Sequence, residues 1–296
     1  MTNKLQNTQI GYFFAISATI LWSGNFIIAR GLSENIPPIS LAFYRWIVAV
    51  VVFFPFAWKS FYEQRNALQS NIIYLSITSL LGITTFNTLI YLAGQTTTAM
   101  NLSLISITFP IFIIIITRIF MGESITKSKL IGILLVIIGV LLLLTAGDIS
   151  HIRHISFTIG DMWMLIAAII FAAYSVLLKC KPPQISISTL QLSTFILGLI
   201  FLLPFFIWEY ATTSAVEFDI KIISSIFYVG IFASLLAFIF WNKAIATIGP
   251  SKAGMIYYTL PLFSGFLAYI FLQESIGSIH FFSALLIVPG IVIANH

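Results

Sequence analysis

Long apolar blocks and short polar joints alternate along the whole chain. Ten blocks of about 20 residues stand near 10–29, 39–58, 72–93, 98–119, 128–145, 160–178, 187–208, 222–242, 250–271 and 278–294. At 1.5 Å per residue, a helix of about 20 residues crosses the roughly 30 Å of hydrocarbon in a bilayer. Few blocks carry a polar face, so each predicts a helix that meets lipid or other helices all round. Apolar/polar alternation at period two, which a membrane barrel requires, is absent. The longer joints, 59–71, 146–159 and 209–221, are too short to fold as soluble domains. The pattern predicts an all-α integral membrane protein with ten transmembrane helices.

Composition agrees with that reading and excludes a soluble one. Of 296 residues, 59% are hydrophobic and 8% charged, with a mean hydropathy of +1.06. So few charges cannot cover the surface of a soluble domain. With a cytoplasmic N-terminus, the inner joints receive Lys4, Lys59, Arg65, Arg118, Lys127, Lys129, Lys179, Lys181 and Lys243, and the outer ones only Arg30, Arg153 and Lys221. Cytoplasmic loops carry such an excess, and ten crossings return the C-terminus to the same side. The expected location is the cell inner membrane. The net charge of +5 therefore reflects topology, and no continuous basic face suggests nucleic acid. The first block, after a polar start with a single lysine, is expected to act as its own uncleaved insertion signal.

The chain is also written twice. RIFMGESI (118–125) aligns with YIFLQESI (269–276) at an offset of 151, and the same offset pairs Thr108 with Thr259, Pro110 with Pro261, Glu123 with Glu274 and Gly139 with Gly290. Nearer the start of each half the offset is 149: Gly11 pairs with Gly160 and Pro55-Phe56 with Pro204-Phe205. Residues 1–148 and 149–296 thus form two repeats of five blocks each. Five is odd, so the second repeat enters the membrane inverted. Inverted repeats build two alternative packings around a site near the midplane, which points to transport.

Ten helices as five plus five, the LWSGNF start (21–26), an arginine in the second block and two "ES-I" turns resemble the drug/metabolite transporter superfamily, EamA type. The resemblance covers the whole chain. It implies a carrier working by alternating access, with a central cavity lined mainly by helices 1, 3, 4, 6, 8 and 9. It also implies a substrate among amino acids, nucleobases, nucleotide conjugates, sugars and drugs.

Polar groups inside the blocks are the candidate cavity lining, because an amide or charge in lipid is costly unless bonded. They are Trp22 and Asn25, Asn87 and Tyr91, Asn101, Tyr174, Trp241 and Asn242, Lys252, Tyr257 and Tyr258. Asn101 and Thr108 share a helical face, as do their repeat partners Lys252 and Thr259; a polar face recurring in both halves suggests a symmetric site. Pro110 and Pro261 are expected to kink their helices in mid-course, freeing carbonyls for a cavity or neighbour. Glu123 and Glu274 each precede a helix, where a carboxylate meets the positive end of the dipole. Arg45 lies roughly 9 Å deep, within reach of outer headgroups or the carbonyl ends of a neighbouring helix. Its repeat counterpart is Thr194, so it is assigned a structural or gate role ahead of the alternative, direct binding of an anion.

All nine acidic residues fall in joints or at helix ends, so a proton relay through a mid-membrane carboxylate is not expected. Nor is a cofactor or a metal: His151 and His154 have ligand-like spacing, but two ligands alone make no site. An enzyme would need a nucleophile or metal cluster at depth, and an ATP-driven pump a phosphate-binding loop; neither is present in the sequence. The leading expectation is a secondary carrier of a small polar metabolite, with export of amino acids or related compounds first. A nucleobase, nucleoside or cofactor carrier of the same fold is the alternative. The expected partners are the small-molecule substrate and the lipid bilayer.

Overall fold

Helical residues occur in each of the ten apolar blocks, and the described residues form no strand. The computed structural model describes residues 2–25, 28, 31–32, 34–145, 158–213, 216–272 and 277–295. The helices are α1 (Thr2–Ser23), α2 (Pro38–Glu63), the short connector α3 (Arg65–Ser70), α4 (Ile72–Ser79), α5 (Phe86–Thr96), α6 (Ala99–Ser106), α7 (Phe109–Met121), α8 (Lys127–Leu144), α9 (Ile159–Lys179), α10 (Ile187–Thr212), α11 (Ile220–Tyr228), α12 (Ala237–Tyr257), α13 (Leu260–Leu272) and α14 (Ser278–Asn295). Among the described residues, six stretches are long and apolar enough to cross a membrane: Pro38–Glu63, Ile72–Thr96, Ile159–Lys179, Ile187–Thr212, Ile220–Tyr257 and Ser278–Asn295.

Two of those stretches are continuous only because wide π-helical turns join their limbs. Leu80–Thr85 links α4 to α5, and Val229–Leu236 links α11 to α12. They begin 149 positions apart. A π turn frees a carbonyl that a side chain must satisfy. Asn87 Nδ2 donates to Gly82 O (3.2 Å) in the first, and Ser234 Oγ to Val229 O (2.7 Å) in the second.

The prolines act differently from the expected mid-helix kinks. Helix stops at Ile107–Thr108 and again at Tyr258–Thr259, and Pro110 and Pro261 sit in the first turns of α7 and α13. A first turn tolerates a residue with no N–H, whereas a helix interior does not. At each break a threonine turns its hydroxyl back on the chain, Thr108 donating to Ile105 O and Thr259 to Ile256 O, both at 2.7 Å.

Packing obeys the same repeat. The α8–α14 crossing brings backbones together at Gly290, where a Cβ would come 2.8 Å from the Gly132 carbonyl oxygen and close to Leu135 and Val136. Gly139 meets Ser283, Leu286 and Ile287, each 151 positions further on. Likewise Gly11 of α1 packs on Thr247 and Ile248, and Gly160 of α9 on Thr96 and Thr97. The antiparallel pair α2 and α10 is tied at both ends. Glu209 accepts from Ile39 N (3.1 Å), Ser40 N (2.6 Å) and Ser40 Oγ (2.8 Å), capping α2 from the end of α10. At the opposite end Ser60 lies 2.7 Å from Thr189 Oγ1, and Gln64 Oε1 accepts from Ser186 N (2.8 Å), so α2 caps α10 in return. Helix N-termini leave their first N–H groups unpaired, and a partner helix supplies the acceptors.

Candidate functional site

Helices α1, α2, α5, α9, α10 and α12 meet at the centre of the bundle, where two small polar clusters face each other through aromatic rings. The first is built on Arg45, which is fully buried. Its Nε donates to Ser234 Oγ (2.6 Å), and its Nη1 to Tyr91 OH (2.5 Å), Asn87 Oδ1 (2.9 Å) and Asn25 Oδ1 (3.4 Å). Tyr91 OH in turn donates to Asn25 Oδ1 (3.2 Å). The guanidinium carbon also lies 5.1 Å from the centre of the Trp46 ring and 5.6 Å from that of Tyr91, a favourable place for a cation.

The second cluster is the repeat image of the first. Tyr174 OH donates to Asn242 Oδ1 (3.2 Å), and Asn242 Nδ2 donates to Gln191 Oε1. Position 25 maps onto 174 at offset 149, and 91 onto 242 at offset 151. The Asn–Tyr pair therefore recurs with its two residues exchanged. The third member differs in kind: charged Arg45 on α2, neutral Gln191 on α10. Two indole N–H groups complete the shell, Trp22 Nε1 donating to Ala233 O (2.8 Å) and Trp241 Nε1 to Ser175 Oγ (3.0 Å).

Between the clusters lies a ring stack centred on Phe171. Its ring is 4.1 Å from Phe86 and nearly parallel to it (14°), 4.8 Å from Phe109, 5.4 Å from Trp22 and 5.8 Å from Trp241. The void that remains is lined by Trp22, Asn25, Phe86, Asn87, Ile90, Phe171 and Tyr257, and leaves about 10 Å³ for the centre of a water-sized sphere. That is room for one water at most. The centre is closed. Larger cavities open at the two ends: about 710 Å³ opposite the N-terminus, with Glu34, Glu209, Glu217 and Asp219 in its wall, and about 430 Å³ beside Glu123, Lys129 and Lys252.

The structure thus sorts the candidates drawn from sequence. Trp22, Asn25, Asn87 and Tyr257 line the central void, and Tyr91, Tyr174, Trp241 and Asn242 hold it from one layer behind. Tyr258 is buried, its hydroxyl without a partner among the described residues, and it is not among the residues lining the void. Asn101 and Lys252 do not meet. Asn101 Nδ2 donates to Asp161 Oδ1 (3.1 Å) at one end of the bundle, where Thr97 Oγ1 also donates to Asp161 (2.5 Å). Lys252 is exposed at the other end. Their repeat relation is real, but an inverted repeat carries positions near a helix end to opposite faces. Lys252→Ala is accordingly expected to keep substrate counterflow within about twofold of wild type, as for other solvated charges; a loss of tenfold would return the lysine to the site.

Arg45 reaches neither headgroups nor helix-end carbonyls, because side-chain oxygens just past α1, on α5 and in the second π turn take its protons first. Glu123 does not cap the helix that follows it. Thr126 does so through Lys129 N (3.1 Å), and Glu123 accepts from Ser251 Oγ just past the Gly249 kink (φ 81°) of α12, with Lys129 Nζ 4.0 Å away. Glu274, His151 and His154 lie outside the described residues. Ser234, Gln191 and Phe171 were missed by sequence reasoning. Gln191 carried the one usable signal, an amide within an apolar block. No group of three or more metal-ligating side chains occurs among the described residues.

A family model for EamA-like transporters matches residues 9–145 and 158–295, once for each repeat. The chain belongs to the EamA-like transporter family. Among relatives of this EamA-like protein, an uncharacterized transporter of Archaeoglobus fulgidus is 28% identical over 257 residues, 86% of each chain. The uncharacterized transporter YyaM of Bacillus subtilis is 24% identical over 284 residues, covering 96% of this chain and 93% of its own. YetK of the same organism is 26% identical over 297 residues, 98% and 88% respectively. A protein crystal structure superposes on the EamA-like bundle with a TM-score of 0.74 at 17% identity, over 98% of this chain and 96% of that one. The fold is shared.

Proposed function

We propose that the protein is a secondary carrier that moves a small polar metabolite across the cytoplasmic membrane by alternating access, exporting amino acids or related compounds. The observation that carries this is the pair of Asn–Tyr clusters, related by the inverted repeat, on either side of a closed aromatic centre. A site divided between two inverted halves is what rocking of one half against the other would expose to each side in turn. The π turns and the breaks before Pro110 and Pro261 supply flexible points at matching places in both halves. The basic residues of the joints support cytoplasmic N- and C-termini. The near-parallel rings of Phe86 and Phe171 favour a second reading, a carrier of flat nucleobases or nucleosides that stack between them.

No carboxylate belongs to either central cluster among the described residues. Counterflow driven by a solute gradient alone is therefore expected in proteoliposomes loaded with amino acids or nucleobases, with or without an imposed pH gradient. Flux that vanishes whenever the proton gradient is collapsed would defeat this expectation. Counterflow of nucleobases but not amino acids would select the second reading.

A further inference from the structure

Three buried N–H donors at the centre have no partner among the described residues: Arg45 Nη2, Trp46 Nε1 and Gln191 Nε2. All three sit on the tied pair α2 and α10, and each belongs to or touches one of the two polar clusters. Trp46 packs at a tilt against Phe195, ring centres 4.7 Å apart, one turn along α10 from Gln191. An amide or guanidinium nitrogen can only donate, so all three lack the same thing, an acceptor. Arg45 lacks more than that. Its four hydrogen bonds go to neutral oxygens, and the two buried carboxylates of the described chain are committed elsewhere: Glu209 to the start of α2, Asp161 to Thr97, Asn101 and Thr158. A guanidinium taken out of water without a counter-charge is expensive, and native proteins seldom leave one so.

Resting on the carrier reading, we infer that the central site binds its solute by a carboxylate group, which docks on Arg45 and supplies its missing acceptor and counter-charge. The route is short. Asn25 and Asn87 line the void and shield the guanidinium through their Oδ1 atoms. The Asn25 bond, at 3.4 Å, is the longest of the four and the first to give way. A carboxylate entering from the void replaces the Asn25 oxygen and takes Nη1 and Nη2 together, the two-pronged geometry in which guanidinium binds carboxylate most strongly. The remainder of the solute then lies among Trp22, Phe86, Phe171 and Tyr257, where a planar or apolar body displaces the ring stack. Gln191, in the second cluster, offers an uncharged amide to a polar group at the solute's other end.

The test is equilibrium binding to the full chain in lipid nanodiscs, followed by tryptophan fluorescence and melting temperature. The probes share one body: 3-phenylpropanoate, 3-phenylpropanamide and phenethylamine. The acid is expected to bind at least about tenfold more tightly than the amide or the amine, the loss of a charge-assisted contact. Arg45→Gln should abolish that preference. Because Arg45→Gln also removes a buried network, Asn25→Asp is the second variant. It places a carboxylate beside the guanidinium inside the protein. It should raise the melting temperature without ligand and lose binding of the acid. Wild-type protein that binds the amide as well as the acid, or binds none of the three, overturns the inference. So does Asn25→Asp that still binds the acid with wild-type affinity. Counterflow of the amide in proteoliposomes would leave the carrier standing while removing the carboxylate from its substrate.

Discussion

Arg45→Ala is expected to abolish counterflow and to lower the melting temperature by roughly 5–10 °C, a shift equivalent to about 2–4 kcal/mol in a chain of this size. Two opposed effects set that figure. Removing the charge relieves the cost of burying an unpaired guanidinium, which is several kcal/mol. Against it stand hydrogen bonds to Ser234, Asn87, Tyr91 and Asn25, charge-assisted and worth about 1.5–3 kcal/mol each, and a cavity the size of the lost side chain. The bonds and the cavity win, because the four oxygens sit just past α1, on α5 and in the second π turn, and Arg45 is their common partner. Arg45→Lys separates charge from geometry. An ammonium cannot reach Ser234 and Asn87 at once, so the lysine variant should recover part of the stability and little of the transport. A stable Arg45→Ala with normal flux would show that the cluster is neither a tie nor a site.

How this cluster forms explains what the sequence made legible. Spans of about 20 apolar residues and the two offsets were readable because both are properties of the chain itself. Inverted packing then follows, and Gly139 with Gly290 or Gly11 with Gly160 land where the pairing says they should. The Asn–Tyr pairs stand in the sequence as separate polar residues, since no local signal says that Asn25 and Tyr91, 66 positions apart, share a hydrogen bond. The wide turns at Leu80–Thr85 and Val229–Leu236 left no mark in the hydrophobic pattern, because a π turn changes the register of a helix without changing its polarity. Those turns bring Ser234 to Arg45 and Asn87 to Gly82, so the arginine's true partners could not be read in advance. Lys252 failed for the opposite reason. A shared helical face does not imply a shared location, because inversion sends Asn101 and Lys252 to opposite ends.

Joining Thr117 and Ser251 by a disulfide is expected to stop counterflow completely and reversibly. Their hydroxyl oxygens are 3.2 Å apart, close enough for cysteines at both positions to reach the roughly 3.8 Å Cβ separation a disulfide needs. The contact ties the end of α7 to α12 just beyond its Gly249 kink, and the same Ser251 hydroxyl reaches Glu123 in the turn after α7. This is the end of the bundle that carries the N-terminus. An alternating-access carrier must part its halves there in one of its two states. The cross-link would hold them together throughout the cycle. With the exposed Cys180 replaced by serine, Thr117→Cys/Ser251→Cys should transport when reduced, fall to the level of empty liposomes when oxidised, and recover with reductant. Each single cysteine should be indifferent to oxidant. If mass analysis shows the bond formed while flux continues, α7 and α12 do not separate during transport, and the moving boundary lies elsewhere in the bundle.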